Sequence, residues 1–279
     1  MRKTIALLGS GWLGEPLAHR LLQFGYTVKV ATTNKEKATR LRNLGWDTYL
    51  LELYPDHISG EVERFFAADQ LVLTVPPGGR RNPGVVNTYP AKIQQALQAA
   101  QAGGIRQVLF TSSTGIYGNQ QGIVTEDMSL QPVTASGKAL VEVESLLKAS
   151  YADQVTILRL AGLVGGDRQP GRWFAGKEEV PGGEQLVNLV HREDVLGAME
   201  RVLVDARWGH ILNICADEHP MKAAFYPLAS KAIGLVAPTF ITNMEQPQGK
   251  IIDNTRGKAV LGFVYRHPNP LGFPFEERG

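Results

Sequence analysis

The sequence predicts an α/β fold: a Rossmann-type doubly wound parallel sheet with a small, discontinuous C-terminal lobe. Three observations point there. Short β-rich apolar runs alternate with segments of helical period through most of the chain. A glycine triplet, Gly9-Ser10-Gly11-Trp12-Leu13-Gly14, sits at the first strand-to-helix junction. Beyond residue 161 the alternation gives way to stretches rich in glycine, proline and charge.

The elements can be justified in order. Residues 4–8 read as a first strand, followed by the glycine turn and a helix over 15–24, which puts Leu17, Leu21 and Phe24 on one face and stops at Gly25. Residues 26–31 form a second strand, 35–44 a charged helix ending at Gly45, and 48–53 a third strand. A helix over 61–68 precedes a buried strand over 70–75, and Pro76-Pro77-Gly78-Gly79 then forces the chain out of the sheet. After a loop carrying Arg80 and Arg81 come a helix over 89–102, a strand over 107–111, a helix over 136–149 and a strand over 155–160. That makes six strands, a full doubly wound set. Residues 162–183 read as a long functional loop, 195–214 return to the main sheet, and a helix is expected near 221–233. The expected domains are therefore a dinucleotide-binding domain of residues 1–164 and 186–216, and a substrate lobe of residues 165–185 and 217–279.

Composition narrows the class. With 43% hydrophobic and 20% charged residues, the chain is of ordinary globular type. A net charge of +2, from 29 basic and 27 acidic residues, creates no global field for nucleic acid or an anionic membrane. The single cysteine, Cys215, excludes an intrachain disulfide framework, and no apolar run approaches the roughly 20 residues of a membrane span. A soluble, cytoplasmic protein is expected. The six histidines, at 19, 57, 191, 210, 219 and 267, lack the close pairing of a zinc site, so no metal is expected.

The glycine spacing carries the first functional inference. Gly9 permits a tight turn, Gly11 lets backbone amides approach a pyrophosphate, and Gly14 allows close helix–strand packing, with the helix N-terminus facing the anion. Trp12 and Leu13 complete the turn. In such a unit an acid at the end of the second strand grips the adenosine ribose of NAD. Here the segment is Ala31-Thr32-Thr33-Asn34-Lys35, with no acid before Glu36. Hydroxyls, an amide and a cation suit a 2′-phosphate, so NADP is favoured and NAD is the alternative. A second reading stays open, in which Asn34 caps the next helix and Lys35 is solvated.

Several motifs occur together in order: the glycine turn, Thr111-Ser112-Ser113-Thr114-Gly115-Ile116-Tyr117-Gly118, Leu158-Arg159-Leu160, Val190-His191-Arg192-Glu193-Asp194-Val195, and Asn213. With them the chain resembles the extended short-chain dehydrogenases/reductases, which include nucleotide-sugar epimerases and dehydratases. Within these it resembles the atypical YeeZ-like group, through residues 159–165, 171–177 and 187–195. The resemblance implies the fold already derived, a homodimer, and a catalytic Ser or Thr with a Tyr-x-x-x-Lys pair. It also implies cofactor contacts at Glu52 and Leu53 near adenine, and at Val75 and Pro76 beside the nicotinamide ribose.

Ser113 falls at the Ser position and Lys138 at the Lys position, while Thr134 stands where the tyrosine is expected. In the parent chemistry a tyrosinate moves the proton and the lysine depresses its pKa. A threonine alkoxide is far more basic and is no simple substitute. Tyr117 is the other candidate proton donor, against a structural role. Ser113 can equally be a turn residue, and Lys138 a solvated lysine.

Arg80, Arg81, Arg168 and Arg172 lie in loops after strand ends, where open α/β sheets bind ligands, so they are candidates for an anionic substrate or simply solvated charge. Ser113 lies in no Gly-x-Ser-x-Gly elbow, which argues against a serine hydrolase. The expected function is an NAD(P)-dependent epimerase, dehydratase or reductase, an oxidoreductase type acting on a small phosphorylated or nucleotide-linked compound. The alternative is a non-catalytic NAD(P)-binding redox sensor or regulatory protein.

Overall fold

Strand β1 (Thr4–Leu8) leads through the glycine turn into α1 (Gly14–Gln23), and the same alternation continues through β2 (Thr27–Thr32), α2 (Lys35–Asn43) and β3 (Asp47–Leu53). A short β4 (Ile58–Gly60) and α3 (Val62–Phe66) precede β5 (Gln70–Leu73), α4 (Val85–Ala102) and β6 (Gln107–Ser113). Then come β7 (Gly122–Val124), α5 (Ala135–Tyr151), β8 (Val155–Leu160), β9 (Gly162–Val164), β10 (Leu189–His191), α6 (Arg192–Val204) and β11 (Ile211–Ile214). The chain ends with α7 (Lys222–Ala232), β12 (Lys250–Ile252) and α8 (Thr255–Leu261). The structure is a computed structural model and describes residues 3–78, 83–242 and 246–275.

The chain divides into two compact units, the first being Met1–Gly118, Pro132–Leu158 and Met199–Ile211, the second Asn119–Gln131, Arg159–Ala198 and Leu212–Gly279. The main sheet has eight strands in the order β11-β8-β6-β5-β1-β2-β3-β4. The six strands expected from the sequence occupy the classic 3-2-1-4-5-6 arrangement within it. β1 pairs in parallel with β2 on one side and β5 on the other, so the order reverses at β1. That reversal is the topological switch point, outside which ligands bind in open α/β sheets. β5 and β8 are buried at every residue, as strands covered on both faces must be.

The first unit's helices follow local sequence rules. α1 turns Leu17, Ala18 and Leu21 inward and ends at Gly25, whose φ of +76° lets the chain reverse into β2. α4 begins at Val85, four residues before the expected start. Pro90 is buried inside the helix, although a proline disfavours the α region in the residue before it. β4 is a three-residue antiparallel addition to β3 that carries no readable period.

In the second unit, β9 pairs with β10 and β7 with β12, both in parallel. All four are three residues long, and β9 interrupts the segment expected to be loop. The apolar core here joins Val164, Val187, Leu189, Phe225, Tyr226 and Phe273, with Phe174, Phe240 and Phe275 packed against it.

The conspicuous polar motifs make hydrogen bonds within this unit. Arg159, 2% exposed, donates from Nη1 to the Glu126 carbonyl at 3.1 Å, and a Glu126 carboxylate oxygen accepts the Asn213 backbone N–H at 2.8 Å. Asp194 accepts the backbone N–H groups of Arg266 and His267 at 2.6 and 3.1 Å, while burial pushes its carboxyl above the ordinary value.

His191 accepts the Glu193 backbone N–H at Nδ1 (3.3 Å) and packs against the His267 ring with centroids 4.2 Å apart. Burial, and then the neighbouring His267, push its imidazole down to about 4. Below the ordinary value of 6.5 the unfolded chain therefore takes up a proton that the folded chain refuses. Stability should be fully present above that pH and fall, by no more than about 3 kcal/mol, as the pH drops towards 4. Urea midpoints across this window, flattened by His191→Gln, check the assignment. An unchanged slope in the variant would exclude it.

Candidate functional site

The site grows from the turn after β1. Gly9 takes a φ of +109°, and a Cβ there would lie 2.8 Å from Thr74 Oγ1 and 2.9 Å from the Val75 nitrogen. A Cβ on Gly14 would lie 2.0 Å from the Gly9 carbonyl oxygen, so that glycine is required by packing. Gly11 differs, because nothing comes within 4 Å of where its Cβ would be. The protein's own packing does not demand a glycine there, and the space above it is open at the N-terminal end of α1.

That open space belongs to a cavity of about 380 Å³ at the carboxyl ends of β1, β2, β3 and β5. Among the expected cofactor residues, Gly9, Gly11, Thr32, Thr33, Glu52, Leu53, Val75 and Pro76 line it. Trp12, Leu13 and Gly14 lie outside the lining and shape the turn instead. The cavity's position, its open glycine and the helix amides beside it fit a dinucleotide.

Two expected residues lie elsewhere. The Asn34 side chain accepts the Lys37 backbone N–H at 2.8 Å and caps α2, and Lys35 is exposed outside the cavity. From the segment after β2, the cation in the cavity wall is Lys37. Its ammonium donates to the Ser10 carbonyl and pairs with Glu15 at 2.6 Å, and Arg40 reaches the other Glu15 oxygen, also at 2.6 Å. Partial burial raises the Glu15 carboxyl, but the hydrogen bonds from Lys37 and Arg40 outweigh it and hold it below the ordinary value. The sequence carried a signal for Lys37, since a cation in the first turn of a helix opposes the helix dipole and calls for another partner.

Ser10, Thr74, Tyr89 and Lys92 also line the cavity without having been expected there. Tyr89 donates to the Val75 carbonyl at 2.7 Å, and burial pushes its phenol well above the ordinary value, so it remains a donor.

The candidate catalytic side chains lie on two adjoining segments of the first unit. Ser113, at the end of β6, accepts the Gly115 backbone N–H at 3.1 Å and opens the short 3₁₀ turn Thr114–Tyr117. Thr134 accepts the Gly137 backbone N–H at 3.0 Å and caps α5. A Cβ on Gly137 would lie 3.6 Å from the Gly115 carbonyl oxygen, so the start of α5 abuts that turn. Lys138 is exposed in the first turn of α5. Tyr117, the other candidate proton donor, is 0% exposed in the core of the first unit. Arg168 and Arg172 are exposed on the second unit, and Arg80 and Arg81 lie outside the described residues.

Residues 7–215 match the model of the NAD dependent epimerase/dehydratase family. The chain belongs to that family. Another similar protein, YeeZ of Escherichia coli K12, is 43% identical over 276 residues, covering 98% of this chain and 100% of YeeZ. Among solved structures, a functionally unknown conserved protein from Silicibacter pomeroyi superposes with a TM-score of 0.74 at 22% identity, over 96% of this chain and 95% of the other. UDP-glucuronic acid 4-epimerase from Bacillus cereus, in complex with NAD, superposes with a TM-score of 0.76 at 17% identity, over 94% and 93%. At those identities the likeness is one of fold. In this epimerase/dehydratase family member, Ser113, Thr134 and Lys138 are the residues that the sequence leads one to expect at the serine, tyrosine and lysine positions. Among the described residues, no group of three or more His, Cys, Asp or Glu side chains could hold a metal ion, and no helix is long and apolar enough to cross a membrane.

The glycines separate packing from ligand binding. Gly14→Ala should destabilise the fold by about 3 kcal/mol or more, since the added carbon meets backbone. Gly11→Ala should leave the melting temperature nearly unchanged and weaken dinucleotide binding about tenfold or more, because only the ligand meets the new methyl. Thermal melts and fluorescence titrations of both variants make the comparison, and undiminished binding by Gly11→Ala would remove the cavity as the cofactor site.

Proposed function

We propose that the chain is an NAD(P)-dependent epimerase, dehydratase or reductase of the short-chain dehydrogenase type, acting on a small phosphorylated or nucleotide-linked compound, with NADP preferred. The observation that carries this reading is the cavity at the β1 switch point, with Gly11 open and no acid at the end of β2. Family membership supports the reaction class, and the NAD held by the Bacillus cereus epimerase supports the dinucleotide. The chemistry such a cofactor supplies when bound is reversible hydride transfer at its nicotinamide.

The chain's own contribution lies at Ser113, Thr134 and Lys138. Ser113 and Thr134 each accept a backbone N–H, which fixes the oxygen and leaves the hydroxyl proton available for donation. Both can orient a substrate oxygen. Neither is an acid of tyrosine's strength, so proton movement through Thr134 is slower than in a tyrosine enzyme at neutral pH. Lys138 supplies a positive charge in the same helical turn. The engagement of Thr134 as a helix cap favours a second reading, a cofactor-binding redox sensor without turnover.

A panel of nucleotide sugars and small phosphorylated carbonyl compounds, incubated with protein and cofactor, separates the two. Nicotinamide absorbance must be followed together with product formation, because an epimerase returns its hydride. Turnover on one member, reduced about a hundredfold in Ser113→Ala, is the expected result. Inactivity across the panel with intact cofactor binding favours the sensor.

The exposed guanidinium groups of Arg168 and Arg172 supply the donors for an anionic group on that substrate. Replacing both with alanine should weaken binding of the active panel member about tenfold while cofactor affinity stays within about twofold. Calorimetry with each ligand checks this, and equal affinity for the substrate would assign both arginines to solvated surface.

A further inference from the structure

In a Rossmann crevice the residues that follow the second strand meet the adenosine ribose, and an acid there selects its free hydroxyls. In this chain Ala31, Thr32 and Thr33 line the cavity at that place, and the only charged side chain from the β2–α2 segment in the wall is Lys37, one turn into α2. Its placement runs against local electrostatics. The first turn of a helix favours anions, and the Lys37 side chain is only 24% exposed. The side chain does not extend from the solvated helix face but is drawn back over the glycine turn to the Ser10 carbonyl.

Glu15 makes the placement sustainable, since one of its oxygens holds Lys37 at 2.6 Å and the other holds Arg40 at 2.6 Å. Two cations share one carboxylate, so the cluster keeps a net positive charge beside the cavity. The wall's other charged side chains are Glu52, from β3, and Lys92, from α4. The charge that the β2–α2 segment itself brings to the cavity is positive.

We infer that Lys37 selects the cofactor by meeting the 2′-phosphate of NADP, with Glu15 and Arg40 positioning its ammonium group. The inference rests on the proposed NADP preference and names the residue that produces it. On NAD, the same ammonium meets only neutral hydroxyls. One charge-assisted hydrogen bond separates the two cofactors by about tenfold or more.

The purified full chain is titrated with NADPH, NADH, 2′,5′-ADP and 5′-AMP by calorimetry, as wild type and as Lys37→Met, Lys37→Gln and Lys37→Arg, with a thermal melt of each. The wild type should bind NADPH at least about tenfold more tightly than NADH, and 2′,5′-ADP more tightly than 5′-AMP. Lys37→Met and Lys37→Gln should erase both differences by weakening the phosphorylated ligands, with NADH affinity moving less than about threefold, while Lys37→Arg keeps the preference. If the wild type prefers NADPH and the folded neutral variants keep that preference, the role of Lys37 is overturned and the NADP reading stands. Equal losses for both cofactors overturn it as well, reducing the lysine to general support. A wild type that binds NADH as tightly as NADPH overturns both.

Discussion

Everything at the candidate site depends on the close approach between the turn after β1 and its two flanking strands. The Ser10 backbone N–H reaches the Ala31 carbonyl at the end of β2 (3.2 Å), and on the other side the Thr74 N–H reaches the Leu8 carbonyl (3.0 Å) while its hydroxyl donates to the Gly9 carbonyl (2.6 Å). With α1 pressed against the Gly9 carbonyl at Gly14, the turn is clamped from three directions. Only a backbone without side chains at positions 9 and 14 fits that clamp. What the clamp leaves over is the open volume at Gly11, and a fixed set of amides facing an open volume is what makes a preorganised anion site.

The threonine at position 134 follows from local structure as much as from chemistry. α5 needs a side-chain acceptor for the Gly137 N–H, and threonine supplies it where a tyrosine cannot. Removing such a cap costs about 1 kcal/mol, so the position is tied to the stability of α5 whatever its part in a reaction. Ser113 is held in the same way, its oxygen accepting the Gly115 N–H. In the proposed reaction, hydroxyls pinned by backbone amides would orient oxygen atoms well and move protons poorly.

How much of this was legible depends on length and period. β1, β5 and β8 were legible as apolar runs between breakers, and the Gly9, Gly11 and Gly14 spacing marked the turn, where packing requires glycine at 9 and 14 and leaves the space at 11 open. β7, β9, β10 and β12 have three residues each, too few for any alternation to register, and their pairing is set by distant partners such as Asn188, which bonds both the Lys250 carbonyl and the Ile252 N–H. Asn34 and Lys35 were weighed for the cofactor because they directly follow β2. Once α2 begins, its turn carries Lys35 away and brings Lys37 to the wall, a rotation that position in sequence alone does not convey. Arg159, Asp194 and Asn213 stood out as polar motifs, and their side chains satisfy backbone groups, a demand visible only when the partners at Glu126, Arg266, His267, Val124 and Asp253 are in place.

Affinity and selectivity are carried by different parts of this site. In the proposed complex the helix N-terminus and the turn amides would act on a pyrophosphate that both nicotinamide cofactors share, so the clamp around Gly9 would contribute to binding without discriminating. Discrimination requires only about 1.4 kcal/mol per factor of ten, well within one charge-assisted hydrogen bond. A single side chain can therefore set it, provided its charge is held in place and not cancelled. Glu15 alone would cancel Lys37, but Arg40 takes half of the same carboxylate. The second cation leaves the lysine positioned and the cluster of Lys37, Glu15 and Arg40 positive.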